Sequence, residues 1–124
     1  MAAKRPAFTE NFARNLDEIR DFLGPSGAGA FEQLRKRLFG DIVPTLSRFP
    51  QAGRSFLSHS VRSRAARALV RKLRSRLTEG DDLREMILQD YVALYLVRRD
   101  RVVFLSIKHH RQLSFDLGRF WQEL

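Results

Sequence analysis

The sequence predicts an α+β domain in which N-terminal helices pack on a small antiparallel sheet of about three strands, with an extra arginine-rich helix and a short C-terminal helix. Two observations predict it. Apolar residues recur at three- and four-residue steps through the first half of the chain, and the period shortens after Asp82 to runs rich in β-branched and aromatic residues. Helices followed by a run of strands indicate the α+β class. A length of 124 residues, 44% apolar with ten phenylalanines, suits one domain over 1–124 with a sizeable core.

The first helix carries Phe8, Phe12, Leu16, Ile19, Phe22 and Leu23 on one face. Thr9 is its expected N-cap, and Gly24-Pro25 ends it because proline cannot continue a helix. After a short Ser26–Ala30 stretch a second helix presents Phe31, Leu34, Leu38, Ile42 and Leu46, with a kink or restart expected at Pro44. Phe49-Pro50-Gln51-Ala52-Gly53-Arg54 reads as a turn-like connector. A third helix is expected over Val61–Leu77, with Val61, Ala65, Leu69, Leu73 and Leu77 at four-residue spacing. Strands follow: Leu83–Leu88, a turn at Gln89-Asp90, Tyr91–Val97, a charged connector Arg98-Arg99-Asp100, and Arg101–Ile107. Lys108 to Gln112 is expected to leave the sheet. Leu117, Phe120 and Trp121 form a last apolar cluster in Leu113–Leu124, read as a short docking helix.

The formal charge of +9 belongs to one segment. Between Ile42 and Thr78 there are nine basic residues and no acidic one, while the remainder balances 14 Lys/Arg against 14 Asp/Glu. Arg62, Arg64, Arg67, Arg71, Lys72, Arg74 and Arg76 lie on the polar face of the third helix, where guanidinium groups can hold carboxylates or phosphates through paired bonds. Such a surface fits an acidic partner protein or a polyanion. The helix carries few Asn or Gln residues for reading base edges, which argues against sequence-specific DNA recognition.

Several chemistries are excluded or weak. Cysteine is absent, so there are no disulfides or thiolate metal sites, which fits a reducing cytoplasm. No run of about 18 apolar residues suggests a membrane span, and the Met1–Pro6 start lacks a secretory apolar segment. Gly24-Pro25-Ser26-Gly27-Ala28-Gly29 is glycine-rich but lacks the Lys-Ser/Thr of a phosphate loop, so it reads as an interhelical loop. His109 and His110 are adjacent and point to opposite sides of an extended chain, and His59 stands alone; no metal site or other cofactor is expected. The cluster Lys108-His109-His110-Arg111 could exchange protons and stabilise a charged phosphoryl transition state, as RNA cleavage by a 2′-hydroxyl requires. The same imidazoles could equally cap the sheet end through backbone bonds.

The pattern Leu83-Arg84-Glu85, then Asp90-Tyr91-Val92-Ala93-Leu94-Tyr95, then Arg101 through Ser106-Ile107-Lys108-His109-His110-Arg111 resembles the RelE/ParE toxin superfamily. The tail Gln112-Leu113-Ser114-Phe115-Asp116-Leu117 is similar to its plasmid stabilisation subgroup, of which the Val61–Leu77 helix looks like an insertion. The resemblance implies a cytoplasmic bacterial toxin neutralised by a cognate antitoxin, whose acidic segment would suit the arginine-rich helix. It leaves two activities open. ParE-like members poison DNA gyrase by binding; RelE-like members are endoribonucleases that cut messenger RNA on the ribosome. In the second case His109 or His110 would exchange protons while Arg84, Lys108 and Arg111 hold the phosphate. Val92 stands where RelE-like sheets commonly carry arginine, Met86 breaks the basic alternation after Arg84, and the nearest aromatic after the last strand is Phe115 rather than a tyrosine. These departures favour the binding toxin. A non-specific nucleic-acid-binding module remains a lesser alternative, and its affinity would fall steeply with salt.

Overall fold

The computed structural model describes residues 3–56, 71 and 75–109. Helices pack on one face of a mixed five-stranded sheet of order β1-β5-β4-β3-β2. The strands are β1 (Arg5–Phe8), β2 (Arg54–Ser55), β3 (Asp82–Leu88), β4 (Tyr91–Val97) and β5 (Arg101–His109). The expected α+β class holds, but the sheet has five strands rather than about three, and it is not wholly antiparallel. The added strands are short. β1 runs parallel to β5 and β2 antiparallel to β3, the latter through only the pairs Arg54↔Glu85 and Ser55↔Arg84. The amides of Arg5 and Thr9 donate to the carbonyls of Asp100 and Phe104, and Pro6 occupies an intervening position where an edge strand needs no donor. The sheet also runs further than expected at its other end. Lys108 and His109 remain in β5, paired with Val92 and Tyr91, because β4 extends far enough to hold them.

The helical half follows from capping and punctuation. α1 (Glu10–Leu23) starts at Thr9, whose hydroxyl oxygen accepts from the Phe12 amide. It ends at Gly24, which takes a left-handed φ of 64° while its N–H bonds to Arg20 O. α2 (Ala28–Arg37) continues through a π turn at Leu38–Ile42 into α3 (Val43–Arg48). The Val43 amide donates to Leu38 O, five residues back, so the widened turn comes just before Pro44 and lets the helix resume. Four of the five residues on the expected face, Leu34, Leu38, Ile42 and Leu46, lie in the core with Phe12, Tyr95, Phe104 and Ile107, while Phe31 is only half-buried. A second cluster on the opposite sheet face contains Leu83, Leu94, Leu96, Val103 and Leu105, against which Phe56 and Leu77 pack. Of the expected arginine-rich helix, Arg71, Ser75 and Arg76 are helical and exposed, and Leu77 is described but no longer helical; the other residues of 61–77 and the expected closing helix lie outside the described residues.

A β-bulge in β5 joins the two halves. Leu94 pairs with Ser106 and Tyr95 with Phe104, which leaves Leu105 as the extra residue. Backbone groups beside the bulge are taken up by the buried polar edge of α1. The Leu105 carbonyl accepts from Thr9 Oγ1 at 3.0 Å and Asn11 Nδ2 at 3.1 Å, and the Ile107 amide donates to Asn15 Oδ1 at 3.1 Å. Asn11 Nδ2 also donates to Asn15 Oδ1, so the two amides brace each other one helical turn apart.

A second lock holds the β2 edge. The Tyr95 hydroxyl donates to Pro50 O at 2.7 Å and accepts from the Gly53 amide at 3.0 Å. Gly53 is required there, because a Cβ would collide with the Tyr95 hydroxyl and the Glu85 carbonyl. Glu85, only 5% exposed, is paired with Arg54.

Three outcomes follow from these locks. Asn15→Leu strands the buried Ile107 amide and should lower stability by about 1–3 kcal/mol in denaturant unfolding. Tyr95→Phe leaves the Gly53 amide and Pro50 carbonyl short of a partner and should cost about 1–3 kcal/mol as well. Burial raises the Tyr95 hydroxyl above its ordinary 10.0, with opposing help from Gly53 and Arg84. Because the folded pKa lies above the unfolded one, stability is full below pH 10.0 and falls as pH rises through the raised value. The alkaline loss should therefore be shallower in Tyr95→Phe, as read from unfolding midpoints between neutral and alkaline pH.

Candidate functional site

The bulge decides which side chains meet at the far end of the sheet. Without the extra residue, continuing the Tyr95↔Phe104 register would set Lys108 opposite Tyr91; with it, His109 takes that place. The Tyr91 and His109 rings meet edge to face, centroids 5.7 Å apart at 84°. Ile107 turns to the helix face with them, beneath α1. These residues and α1 enclose a groove of about 540 Å³. Ile19, Phe22, Tyr91 and Ile107 give it apolar walls; Asn15, Glu18, Lys108 and His109 supply its polar groups. Lys108 Nζ lies 3.8 Å from Glu18 Oε2, beyond hydrogen-bond length, so the contact is a Coulombic one across the rim. Burial, with the Asp90 carboxylate next to it, raises the Tyr91 hydroxyl above its ordinary pKa.

Arg84 does not join this group. Its Nε and Nη2 donate to Gly53 O, Nη2 also reaches Gln51 O at 3.3 Å, and Nη1 contacts Asp82 at 3.0 Å. Its side chain is 15% exposed. It stands opposite Tyr95, four β4 positions from Tyr91 and thus roughly 13 Å along the strand direction. The structure therefore brings Lys108 and His109 to one groove and places Arg84 at the β2 edge. His110 and Arg111 lie outside the described residues, as do Arg62, Arg64, Arg67, Lys72 and Arg74; Arg71 and Arg76 are exposed.

The groove contains residues that the sequence reading did not select: Asn15, Glu18 and Tyr91. Asn11 and Asn15, four apart beside the apolar stripe of α1, were the available signal, since polar amides so close to a buried face need partners in the core. Among the described residues no group of three or more His, Asp and Glu side chains is arranged for a metal ion, and no helix is long and apolar enough to cross a membrane.

Comparison with known proteins agrees with this architecture. No curated protein matches the sequence. Among solved structures, the chromosomal ParDE toxin–antitoxin system from P. aeruginosa contains a chain similar to this one with a TM-score of 0.56. The two are 16% identical, and the match covers 86% of this chain and 96% of that one, a likeness of fold. The family model for the ParE toxin of the type II toxin–antitoxin system parDE matches residues 7–114. The match takes in α1, all of the β3–β5 meander and the arginine-rich segment between, and the chain belongs to the ParE toxin family.

Proposed function

We propose that this chain arrests bacterial growth as the toxin of a type II pair, acting in the cytoplasm by binding DNA gyrase and relieved by a cognate antitoxin. Family membership over residues 7–114 supports the toxin role. The observation that carries the choice of target is the placement of Arg84. A nuclease reading needs Arg84 beside Lys108, His109, His110 and Arg111 to hold a phosphate. Instead its guanidinium is committed to two backbone carbonyls and Asp82, at the opposite end of the strand pair from His109. Fixed charge must sit at the reacting centre to lower a barrier, and charge bonded elsewhere contributes little there. A binding toxin needs no such convergence.

The antitoxin half of the reading rests on charge. Arg62, Arg64, Arg67, Arg71, Lys72, Arg74 and Arg76 carry most of the excess positive charge of the chain, and Arg71 and Arg76 are exposed. An acidic antitoxin segment would be steered to this surface and held by guanidinium–carboxylate pairs. The ribonuclease reading keeps one point in its favour, the presence of Lys108 and His109 in a single groove.

Expression from a tight promoter without antitoxin separates the two. The expected result is growth arrest with early DNA-damage signalling and intact messenger RNA, retained in a variant combining His109→Ala and His110→Ala. New mRNA 5′ ends at codon boundaries, lost in that variant, would overturn the gyrase reading in favour of cleavage.

A further inference from the structure

We propose that the end of the sheet formed by β1, the β4–β5 turn and the end of α3 binds a short single strand of nucleic acid, holding its phosphodiesters and one stacked base. This site lies at the opposite end of the sheet from the groove, and it does not depend on which target the toxin has.

The β1–β5 register creates the charge. Arg5 and Arg101 are direct partners in it, so their side chains leave the same face, about 4.8 Å apart at the backbone. Like charges set opposite each other destabilise a strand pair. Asp100 offers one carboxylate to both. Arg5 Nη2 lies 3.2 Å from it, and Arg101 acts on it through its field. The Arg5–Asp100 pair is exposed on both sides and holds weakly in water. Ala7 and Val103, two positions further along each strand, share this face, and Leu77 packs against it with the exposed Arg76 just before.

Lys4 and Arg98 build the surface. Lys4 Nζ donates to the carbonyls of Arg98 and Arg99 at 2.8 and 2.6 Å, which closes the turn. The Lys4 amide donates to Ser47 O and so draws the end of α3 alongside. Arg98 is paired with Asp81 at 3.4 Å. Arg99 in the turn and Arg48 in the last turn of α3 are exposed, and neither has an ion pair among the described residues.

Between these elements lies a cleft of about 940 Å³, with Pro50, Gln51, Arg99 and Arg101 in its lining. Glu79, Asp81 and Asp100 line it too. Asp81 is committed to Arg98 and Asp100 to Arg5, which leaves Glu79 as the carboxylate opposing an anion there. Arg99 and Arg101 outweigh it, with Arg48 beside them. Guanidinium forks take phosphate oxygens in pairs, which ammonium groups do not.

Phe49 separates a nucleic-acid strand from an acidic peptide. It follows Arg48, precedes the cleft-lining Pro50, and is 60% exposed. An unpaired base stacks on such a ring, whatever its identity, while a carboxylate gains nothing from it. A duplex keeps its base faces covered, so the exposed ring favours a single strand.

The test uses the purified full chain and a labelled oligothymidylate of about twelve nucleotides, within the span of small single-strand sites. Anisotropy gives the affinity, and NMR on the isotope-labelled chain gives the location. Shifts are expected at the Phe49 ring and the Arg99 and Arg101 side chains. Combining Arg99→Gln with Arg101→Gln should weaken binding about tenfold or more. It should also flatten the slope of log affinity against log salt by about 1.4, from two lost phosphate contacts. Phe49→Leu keeps the apolar bulk, removes the ring, and should weaken binding about fivefold or more. An abasic oligomer of the same length should bind equally well with or without that substitution. All three positions are exposed, and unchanged unfolding midpoints will show that the fold is kept. Four results would overturn the proposal: shifts confined to residues 61–76, an arginine variant with unchanged affinity and salt slope, no effect of Phe49→Leu, or equal binding of oligoglutamate. A duplex that binds as tightly as the single strand would equally contradict it.

Discussion

Much of the molecule depends on how β5 accommodates one extra residue. A bulge disrupts the ladder locally, and here the neighbouring residues from Phe104 to Ile107 are fully buried, so their backbone groups need partners within the fold. Here α1 takes them up through Thr9, Asn11 and Asn15, which reach the Leu105 carbonyl and the Ile107 amide. The contact fixes the helix against the strand in both translation and rotation. It also makes the cap, the helix and the sheet interdependent, because Thr9 caps α1 through the Phe12 amide while bonding to β5 through the same hydroxyl. Beyond the bulge the alternation is reset, and His109 and Ile107 arrive on the helix side.

The sequence displayed the parts of this architecture that follow from periodicity and punctuation. The Thr9 cap, the stop at Gly24-Pro25, the buried face Leu34-Leu38-Ile42-Leu46 and the hairpin from Tyr91 to Arg101 all have local causes. The short strands had none. Four residues containing a proline give β1 no readable alternation, and two residues give β2 less. The bulge was hidden for a different reason: both faces of β5 are buried, so Val102-Val103-Phe104-Leu105 is apolar throughout and carries no period-2 signal to interrupt. The role of Arg84 was invisible because its partners at Gln51 and Gly53 are some thirty residues away in the chain. Residue type pointed to phosphate chemistry; tertiary context gave the guanidinium two carbonyls and a carboxylate.

These placements set two groups of side chains apart along the sheet. Tyr95 and Arg84 hold the Pro50–Gly53 connector, from which the arginine-rich segment departs, and Glu85 pairs with the first arginine beyond it. The groove lies at the other end of the sheet, formed by α1 and the reset end of β5.

The central claim is that the bulge at Leu105 determines what faces the groove, and cross-strand nuclear Overhauser effects between β4 and β5 in solution test it directly. The account predicts contacts that pair Leu94 with Ser106, Tyr95 with Phe104 and Tyr91 with His109. A continuous register pairing Leu94 with Leu105 and Tyr91 with Lys108 would contradict it.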